Sequence, residues 1–445
     1  MVIAGTHSRC GKTTVTVGVA AALAAAGHRV ATAKVGPDYI DTGYHEAATG
    51  RPSRNLDVFM SGESMILPLA QRAAHAADML VVEGAMGLYD GIGSSSRGST
   101  AHVAKLLYAP VLLVVDASSM SRSVVALVEG YIRHDRDVHV AGIILDRVGS
   151  ARHEEILRDA LSDCEAPVIG AVRRNDDISW PSRHLGLIPA IEYHTEVERS
   201  VRELGELFST QVDIQQVSAI AGTAFSLSTK QIRPAKPVAN AVVGYAAGPA
   251  FSFVYRDNLE RFAEAGADLV PFDPISDSSI PAGAQGLYLG GGFPEVYIEA
   301  LSSNRPMLDS ISSAANDGVA IWAECGGLVL LSKRMGQTAL AGVIDAEVSM
   351  QDNLIVGYRI ATAQRSSFLL DAGDVLHGHE FHRTITRPAG GALAMVGSSA
   401  MHAPVRSGFA SPQLFASYLH VHLGAHSAPA ERFVAAASKV VLQSP

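Results

Sequence analysis

The stretch Gly5-Thr6-His7-Ser8-Arg9-Cys10-Gly11-Lys12-Thr13-Thr14 decides the fold of the first half of this 445-residue chain. It follows a short apolar run and precedes an Ala-rich segment of helical period, which predicts a strand–loop–helix turn. In such a turn the backbone N–H groups and the helix N-terminus attract phosphates, Lys12 reaches the outer phosphates and Thr13 can ligate Mg²⁺. Gly11, Lys12, Thr13 and Thr14 are therefore predicted to bind a nucleoside triphosphate.

The first half alternates short β-branched runs with Ala- and Leu-rich segments of helical period. Strands are predicted at 1–5, 30–35, 79–82, 111–115, 140–145 and 168–171, and helices at 13–26, 64–76, 101–107, 120–133 and 152–163. Strands of nearly continuous Val, Ile and Leu are typical of a parallel sheet that is covered on both faces. The pattern predicts right-handed βαβ units in a doubly wound α/β fold.

A polar segment without periodicity separates this half from a second α/β pattern, and Pro234 and Pro237 favour a linker there. Further strands are predicted at 242–246, 268–272, 286–289 and 318–322, with a helix at 257–265. We therefore expect an N-terminal domain at 1–232, a linker at 233–240 and a C-terminal α/β domain at 241–445.

Composition excludes several classes of protein. Hydrophobic residues make up 48% of the chain and charged residues 18%, which is typical of well-buried domains and not of disorder. The net charge of −9 gives no case for nucleic-acid binding. The apolar stretches are shorter than the roughly 20 residues that cross a bilayer, and three cysteines cannot form a disulfide framework. We expect a cytoplasmic protein with no nucleic-acid or membrane partner, and the sequence is compatible with a homodimer.

One apolar strand of the first half ends in a carboxylate. Leu80-Val81-Val82-Glu83 places Glu83 where a phosphate-loop enzyme has its second Mg²⁺ ligand, beside Thr13. A carboxylate at the end of a buried strand rarely has a purely structural role, which favours Glu83 as a ligand. Either Asp41 or Asp57 can complete the Mg²⁺ shell, and the sequence does not choose between them.

The segment 34–45 is predicted to be a polar loop at the end of a strand. It supplies a cation, Lys34, the carboxylates of Asp38 and Asp41, and a histidine, His45. Next to the outer phosphate such a cluster can orient a substrate carboxylate for phosphorylation, and Lys34 can neutralise the charge that develops. The alternative interpretation is a solvated loop without a chemical role.

The second half contains a candidate nucleophile in Ile321-Trp322-Ala323-Glu324-Cys325-Gly326-Gly327. A cysteine between an apolar strand and a Leu-rich helix, with glycines after it, is typical of a nucleophile elbow. The helix dipole at such a position is expected to lower the pKa of the thiol. A buried, inert cysteine is the alternative.

Two further segments supply the partners that this chemistry needs. The backbone amides of Gly290-Gly291-Gly292, together with that of Gly326, are predicted to bind a developing oxyanion. The segment Ser417-Tyr418-Leu419-His420-Val421-His422 offers a general base.

Long motifs in both halves resemble the cobyrinic acid a,c-diamide synthase family. They are Lys34-Val35-Gly36-Pro37-Asp38-Tyr39-Ile40-Asp41, Asn55-Leu56-Asp57 and Glu83-Gly84-Ala85-Met86-Gly87-Leu88-Tyr89-Asp90-Gly91. The early glycine of the phosphate loop, Gly5, resembles the longer loop of dethiobiotin synthetase. The resemblance implies a dethiobiotin-synthetase-like phosphate-loop domain followed by a class I glutamine amidotransferase domain.

What the resemblance implies is amidation of the a and c acetate groups of a corrinoid polycarboxylic acid, with MgATP as activator and glutamine as ammonia donor. It assigns the nucleophile to Cys325 and the general base to His420. It also assigns substrate binding to five residues of the N-terminal domain, namely Lys34, Asp38, Tyr39, Asp41 and Asp90.

Two positions depart from the family pattern. Asp146 stands where the family usually has an Asn that reads adenine, and an ionised Asp only accepts hydrogen bonds. Tolerance of GTP is therefore a hypothesis. His422 stands where class I amidotransferases have the Glu that orients the base, so the third member of the triad stays open.

Three related interpretations remain at this stage. Nickel-sirohydrochlorin a,c-diamide synthase and cobyric acid synthase share the architecture, although the latter lacks the two long substrate motifs. A partitioning-type ATPase shares the phosphate loop, but it would need neither a nucleophilic cysteine nor a second catalytic domain.

Overall fold

A computed structural model describes residues 1–174, 182–183, 186–227, 237–398 and 403–440. The chain divides into two compact units, one made of Met1–Val58 and Gly62–Ile232 and the other of Phe59–Ser61 and Arg233–Pro445. Residues 233–236 of the predicted linker lie outside the described residues, and 237–240 lead into the first strand of the second unit.

A parallel sheet forms the centre of the first unit. Its strands are β1 (Val2–Gly5), β2 (Val30–Val35), β3 (Arg54–Leu56), β4 (Met79–Glu83), β5 (Val111–Asp116), β6 (Val140–Val148) and β7 (Val168–Arg173). They lie in the order β3-β2-β4-β1-β5-β6-β7, and every neighbouring pair is parallel. This arrangement confirms the predicted doubly wound fold.

Apolar side chains cover both faces of this sheet. In β5, Leu112 and Val114 pack into one hydrophobic cluster, whereas Leu113 and Val115 pack into the other. Because both faces are buried, the strands are continuous apolar runs and do not alternate.

The helices of this part of the chain connect and cover its strands, except the short helix Val58–Ser61, which after Val58 belongs to the second unit. They are α1 (Lys12–Ala25), α2 (Ile40–Thr49), α3 (Val58–Ser61), α4 (Glu63–Ala73), α5 (Thr100–Leu106), α6 (Val124–His134), α7 (Ala151–Ala160), α8 (His194–Gln211) and α9 (Ile214–Gly222). A short antiparallel pair, β8 (Ser182–Arg183) and β9 (Gly186–Leu187), precedes α8.

The predicted loop at 34–45 is wrong over most of its length. Lys34 belongs to β2, and α2 begins at Ile40. Asp38 starts this helix, since its Oδ1 accepts hydrogen bonds from the backbone N–H groups of Ile40 at 2.8 Å and Asp41 at 2.9 Å. The loop itself is therefore confined to the few residues between β2 and α2.

The described residues of the second unit form two sheets. Its strands are β10 (Ala241–Ala246), β11 (Ala267–Phe272), β12 (Gly286–Leu289), β13 (Ala320–Glu324), β14 (Ser332–Met335), β15 (Thr338–Ala339), β16 (Ile344–Ala363), β17 (Val375–Arg387), β18 (Leu393–Gly397), β19 (Val405–Ser407), β20 (Phe409–Ala410), β21 (Leu414–Ser417) and β22 (His420–Val421). Its helices are α10 (Arg256–Ala265), α11 (Ile298–Ser303), α12 (Arg305–Asn316), α13 (Gly326–Leu331) and α14 (Ser427–Ala437).

The first of these sheets has the order β11-β10-β12-β13-β21-β20 and is parallel except at β20. The second follows the order β15-β14-β16-β17-β22 and is built around the long antiparallel pair β16 and β17. This hairpin has no counterpart in the sequence prediction. The buried positions of β17 include Glu380, His382, Thr384 and Thr386, so its period-two burial is not an alternation of hydropathy.

Candidate active sites

The phosphate loop passes from β1 into α1 at Gly11, whose φ of 96° favours glycine. A Cβ at this position would lie 2.1 Å from Oδ2 of Asp146, so the loop also approaches β6 too closely for a side chain. Lys12 is buried, and its Nζ donates to the carbonyl oxygen of His7 at 3.0 Å. Burial is the main cause of the lowered pKa of Lys12. The loop thus holds a cation at the helix N-terminus, as phosphate binding requires.

Glu83 is the centre of a buried polar cluster beside this loop. Its Oε1 accepts hydrogen bonds from Thr13 Oγ1 at 2.8 Å and from Lys34 Nζ at 2.7 Å. Oδ2 of Asp41 lies 2.7 Å from Lys34 Nζ, and Nε2 of His45 lies 2.5 Å from Oε2 of Glu83. The sheet builds the cluster, because β2 and β4 are neighbours and pair Lys34 with Glu83 in register.

Charges within the cluster stabilise one another. Burial opposes the charged forms of Lys34 and Glu83. The charges of Asp41 and Glu83 nevertheless raise the pKa of Lys34, and Lys34 together with His45 lowers the pKa of Glu83. Burial, reinforced by Asp38 and Glu83, raises the pKa of Asp41 to about 8. Near neutral pH Lys34 and Glu83 therefore both stay charged and form an ion pair. Of the two carboxyl groups, Asp41 gains a proton more readily than Glu83.

The pair formed by Thr13 and Glu83 fits a Mg²⁺ ion. Mg²⁺ typically takes one or two protein oxygens and completes its shell with phosphate oxygens and water. No group of three or more His, Cys, Asp and Glu side chains in the described ranges is placed to hold a metal, and Mg²⁺ bound with a nucleotide needs none. Asp41 is connected to the pair through Lys34, whereas Asp57 is buried directly after β3.

The remaining predicted substrate residues lie in different local settings. Asp38 caps α2, as described above, and Tyr39 follows it in a half-buried position. Asp90 is exposed, and its Oδ2 accepts a hydrogen bond from the Gly87 backbone at 2.8 Å. Asp90 thereby closes its own turn, and its substrate role stays a prediction.

A cavity of about 420 Å³ adjoins the phosphate loop. Gly11 and Thr14 line it on one side, and Asp146, Arg147 and Arg173 line it at the ends of β6 and β7. Burial raises the pKa of Asp146 to about 6, so the side chain is mostly ionised above that pH. Asp146 thus lies beside the phosphate loop, and its role in reading the nucleotide base stays a prediction.

Cys325 occupies the sharp turn between β13 and α13. Its φ of 46° is unusual for a residue with a side chain, as expected at a nucleophile elbow. Gly326 and Gly327 allow a close approach to the neighbouring loop, since a Cβ on Gly326 would lie 3.1 Å from the Gly292 nitrogen. A Cβ on Gly327 would lie 2.2 Å from the carbonyl oxygen of Leu289.

One predicted oxyanion donor needs correction. The Gly291 amide donates to the carbonyl oxygen of Phe253 at 3.1 Å, so it is committed to that bridge and does not serve as a donor. Gly291 instead leaves room for the imidazole of His420, because a Cβ at position 291 would lie 2.3 Å from Cε1 of His420. Gly292 and Gly326, which lie against each other at the elbow, keep their predicted roles.

The lowered pKa expected for the nucleophile is also wrong. Burial, followed by the charges of Glu295, Glu380 and Glu324, raises the pKa of Cys325 well above its ordinary value. The backbone hydrogen bond from Gly326, at the start of the short helix α13, opposes this shift but does not cancel it. Thiolate formation therefore depends on transfer of the thiol proton to a nearby base.

His420 and His422 have different neighbours although both are buried. Nδ1 of His420 lies 3.6 Å from Oε2 of Glu324. Nε2 of His422 lies 3.5 Å from Oδ2 of Asp257, and its ring packs edge-on against Tyr255. The residue two positions after the base thus turns toward α10, and Glu324 is a functional candidate that the sequence reasoning missed.

Comparison with known proteins agrees with both halves of this description. Residues 1–188 match the model of the CobQ/CobB/MinD/ParA nucleotide binding domain, and residues 242–428 match that of the CobB/CobQ-like glutamine amidotransferase domain. Hydrogenobyrinate a,c-diamide synthase of Streptomyces coelicolor is 42% identical to the chain, covering 98% of it and 96% of the relative. The chain belongs to the cobyrinate/hydrogenobyrinate a,c-diamide synthase family.

Other members of this a,c-diamide synthase family are equally similar. Cobyrinate a,c-diamide synthase of Synechococcus is 41% identical over 95% of both chains. Hydrogenobyrinate a,c-diamide synthase of Mycobacterium tuberculosis is 41% identical over 98% of this chain and 97% of its own. The chain is therefore a glutamine-dependent, amide-forming ligase of cobalamin biosynthesis, and the second domain sets it apart from a partitioning ATPase. No helix in the described part of the chain is long and apolar enough to cross a membrane.

Proposed function

We propose that this chain amidates the a and c acetate carboxylates of cobyrinic or hydrogenobyrinic acid through an acyl phosphate. The observation that carries the proposal is the cluster of Thr13, Lys34 and Glu83 next to Lys12, in a chain whose second unit presents Cys325 at a nucleophile elbow. One site is suited to phosphoryl transfer and the other to thioester chemistry.

In the first unit a substrate carboxylate oxygen attacks the outer phosphorus of the nucleotide, and the nucleoside diphosphate leaves. Lys12 and Lys34 offset the negative charge of the reacting groups, and Asp41 orients the substrate through Lys34. A bound Mg²⁺ would be held by Thr13 and Glu83, and it would supply charge neutralisation of the phosphates. Ammonia then attacks the acyl carbon, and phosphate leaves.

In the second unit the Cys325 thiolate attacks the carboxamide carbon of glutamine. The backbone amides of Gly292 and Gly326 stabilise the oxyanion, and His420 takes the thiol proton and returns it to the departing ammonia. Water then hydrolyses the thioester to give glutamate. The close packing of His420 against Gly291 and of Gly326 against Gly292 supports this assignment.

Mass spectrometry of the products tests the proposal. The protein is incubated with glutamine, MgATP and either cobyrinic or hydrogenobyrinic acid. We expect two successive mass decreases of the size produced when NH₂ replaces OH, in at least one of the two acids. A nucleotide-dependent amidation of nickel-sirohydrochlorin, with neither acid changed, would contradict the proposed substrate.

The position of Asp146 in the cavity beside the phosphate loop leads to a prediction about the preference for ATP or GTP. An ionised Asp146 can accept hydrogen bonds from the two N–H groups of guanine. An asparagine at this position can both donate a hydrogen bond to adenine and accept one from it. We expect the wild type to use GTP as well as ATP, and Asp146→Asn to raise the ATP-to-GTP ratio of kcat/KM by about tenfold or more.

The measurement is kcat/KM with each nucleotide for the wild type, Asp146→Asn and a control, Asp159→Asn. The control makes the same change at an exposed position of α7. A wild type restricted to ATP, with an unchanged ratio in Asp146→Asn, would remove the assignment of Asp146 to base recognition.

A further inference from the structure

We propose that Glu324 is the carboxylate that positions His420, taking the role that a residue two places after the base would normally have. The inference rests on the proposed glutaminase role of Cys325 and His420. It adds a residue to that site and explains how the site works with His422 in the usual carboxylate position.

The fold brings Glu324 to the imidazole from the strand that carries the nucleophile. β13 ends at Glu324, immediately before Cys325, and pairs in parallel with β21, so that Glu324 lies opposite Ser417. Three residues later the chain reaches His420 in β22. The outcome is a distance of 3.6 Å between Oε2 of Glu324 and Nδ1 of His420, with both side chains almost completely buried.

His422 occupies the usual position but is engaged elsewhere. Its Nε2 lies 3.5 Å from Asp257, and its Nδ1 accepts a hydrogen bond from the Gly424 backbone at 3.2 Å. Asn258 holds the backbone on both sides of His422, donating to the Val421 carbonyl at 2.7 Å and accepting from the Leu423 amide at 2.7 Å. The local backbone thus fixes His422 toward α10 and leaves the imidazole of His420 beside Glu324.

Glu324 is buried, so its negative charge is unfavourable unless an opposite charge lies close to it. Burial raises the pKa of Glu324 to about 8, and the nearby Tyr288 hydroxyl and Val421 amide oppose that shift. Burial lowers the pKa of His420 to about 3. Each charge alone is therefore unfavourable, whereas opposite charges on the two groups stabilise each other when the thiol proton reaches His420.

The carboxylate also selects the useful tautomer of the base. When Glu324 is ionised, its charge favours the tautomer of His420 that carries the hydrogen on Nδ1, and in that tautomer Nε2 carries none and can accept the thiol proton. A glutamine at this position has nearly the same volume but no charge, and its amide can donate to Nδ1. That contact would favour the tautomer with hydrogen on Nε2, which cannot act as a base.

The test compares Glu324→Gln and Glu324→Asp with the wild type in two assays, glutamine-dependent and ammonium-dependent amidation. We expect Glu324→Gln to lower kcat with glutamine by about 10²-fold, while the KM for glutamine changes by less than about threefold. Ammonium-dependent amidation should be unchanged, and Glu324→Asp should recover part of the lost kcat. Glu299→Gln, on the exposed face of α11, is the matched control for loss of a charge.

Three results would overturn the inference. They are an unchanged kcat with glutamine in Glu324→Gln, a loss expressed only in the KM for glutamine, and a parallel loss of ammonium-dependent amidation, which would indicate a structural role. The variant Cys325→Ser distinguishes a failure of this inference from a failure of the proposed glutaminase function. If Cys325→Ser still uses glutamine, the glutaminase assignment itself fails, whereas an inactive Cys325→Ser beside an active Glu324→Gln refutes only the positioning role.

Discussion

Cys325→Ser should abolish glutamine-dependent amidation while amidation with ammonium salts continues at the wild-type rate. Serine keeps the shape of the elbow but removes the thiolate, and loss of the nucleophile in such a constellation costs on the order of 10⁴-fold or more. The first unit has its own phosphate loop and its own polar cluster. Exogenous ammonia should therefore still reach the activated carboxylate.

Steady-state rates with glutamine and with ammonium chloride, measured on the same preparation, check this expectation. Cys164→Ser is the matched control, because Cys164 is a half-buried thiol of the first unit with no place in either site. A Cys325→Ser protein that hydrolyses glutamine normally would show that the nucleophile lies elsewhere.

Lys12→Met should stop amidation with both nitrogen donors. Lys12 is the cation of the phosphate loop, and its Nζ lies over the loop at 3.0 Å from the carbonyl oxygen of His7. Methionine retains the length of the side chain but cannot stabilise the outer phosphates in the transition state. We expect a loss of about 10³-fold in kcat/KM for the nucleotide, equal for glutamine and ammonium.

The same two assays, with product formation followed by mass spectrometry, measure this loss. Lys105→Met is the control in the same unit, since Lys105 pairs with Asp135 near the surface of α5. Retention of ammonium-dependent amidation in Lys12→Met would mean that the phosphate loop does not activate the substrate. The contrast with Cys325→Ser, which should spare this activity, distinguishes the two sites.

Most of the first unit could be predicted from its sequence because a single physical pattern governs it. Strands buried on both faces are continuous apolar runs, so β1, β2 and β4 to β7 were identified to within a few residues. The helix α2 was missed because Asp38, which caps it, was interpreted as a loop carboxylate.

In the candidate sites, too, some residues could be predicted from the sequence and others could not. Glu83 was found because it ends the apolar strand β4, and Glu324 ends the equally apolar β13 immediately before the nucleophile. The same criterion applies to Glu324, but the family pattern predicts the orienting carboxylate two positions after His420, where this chain has His422. Contacts that depend on backbone geometry, such as the bridge between Gly291 and Phe253, leave no such signal in the sequence.

The most direct test of acyl-phosphate formation follows one oxygen atom. A corrinoid acid labelled with ¹⁸O in its acetate carboxylates is incubated with the protein, glutamine and MgATP, and the released phosphate is analysed by mass spectrometry. If the carboxylate attacks the nucleotide and ammonia then displaces phosphate, each phosphate released with an amide carries one ¹⁸O atom. Amide formation accompanied by unlabelled phosphate would contradict carboxylate activation by the first unit.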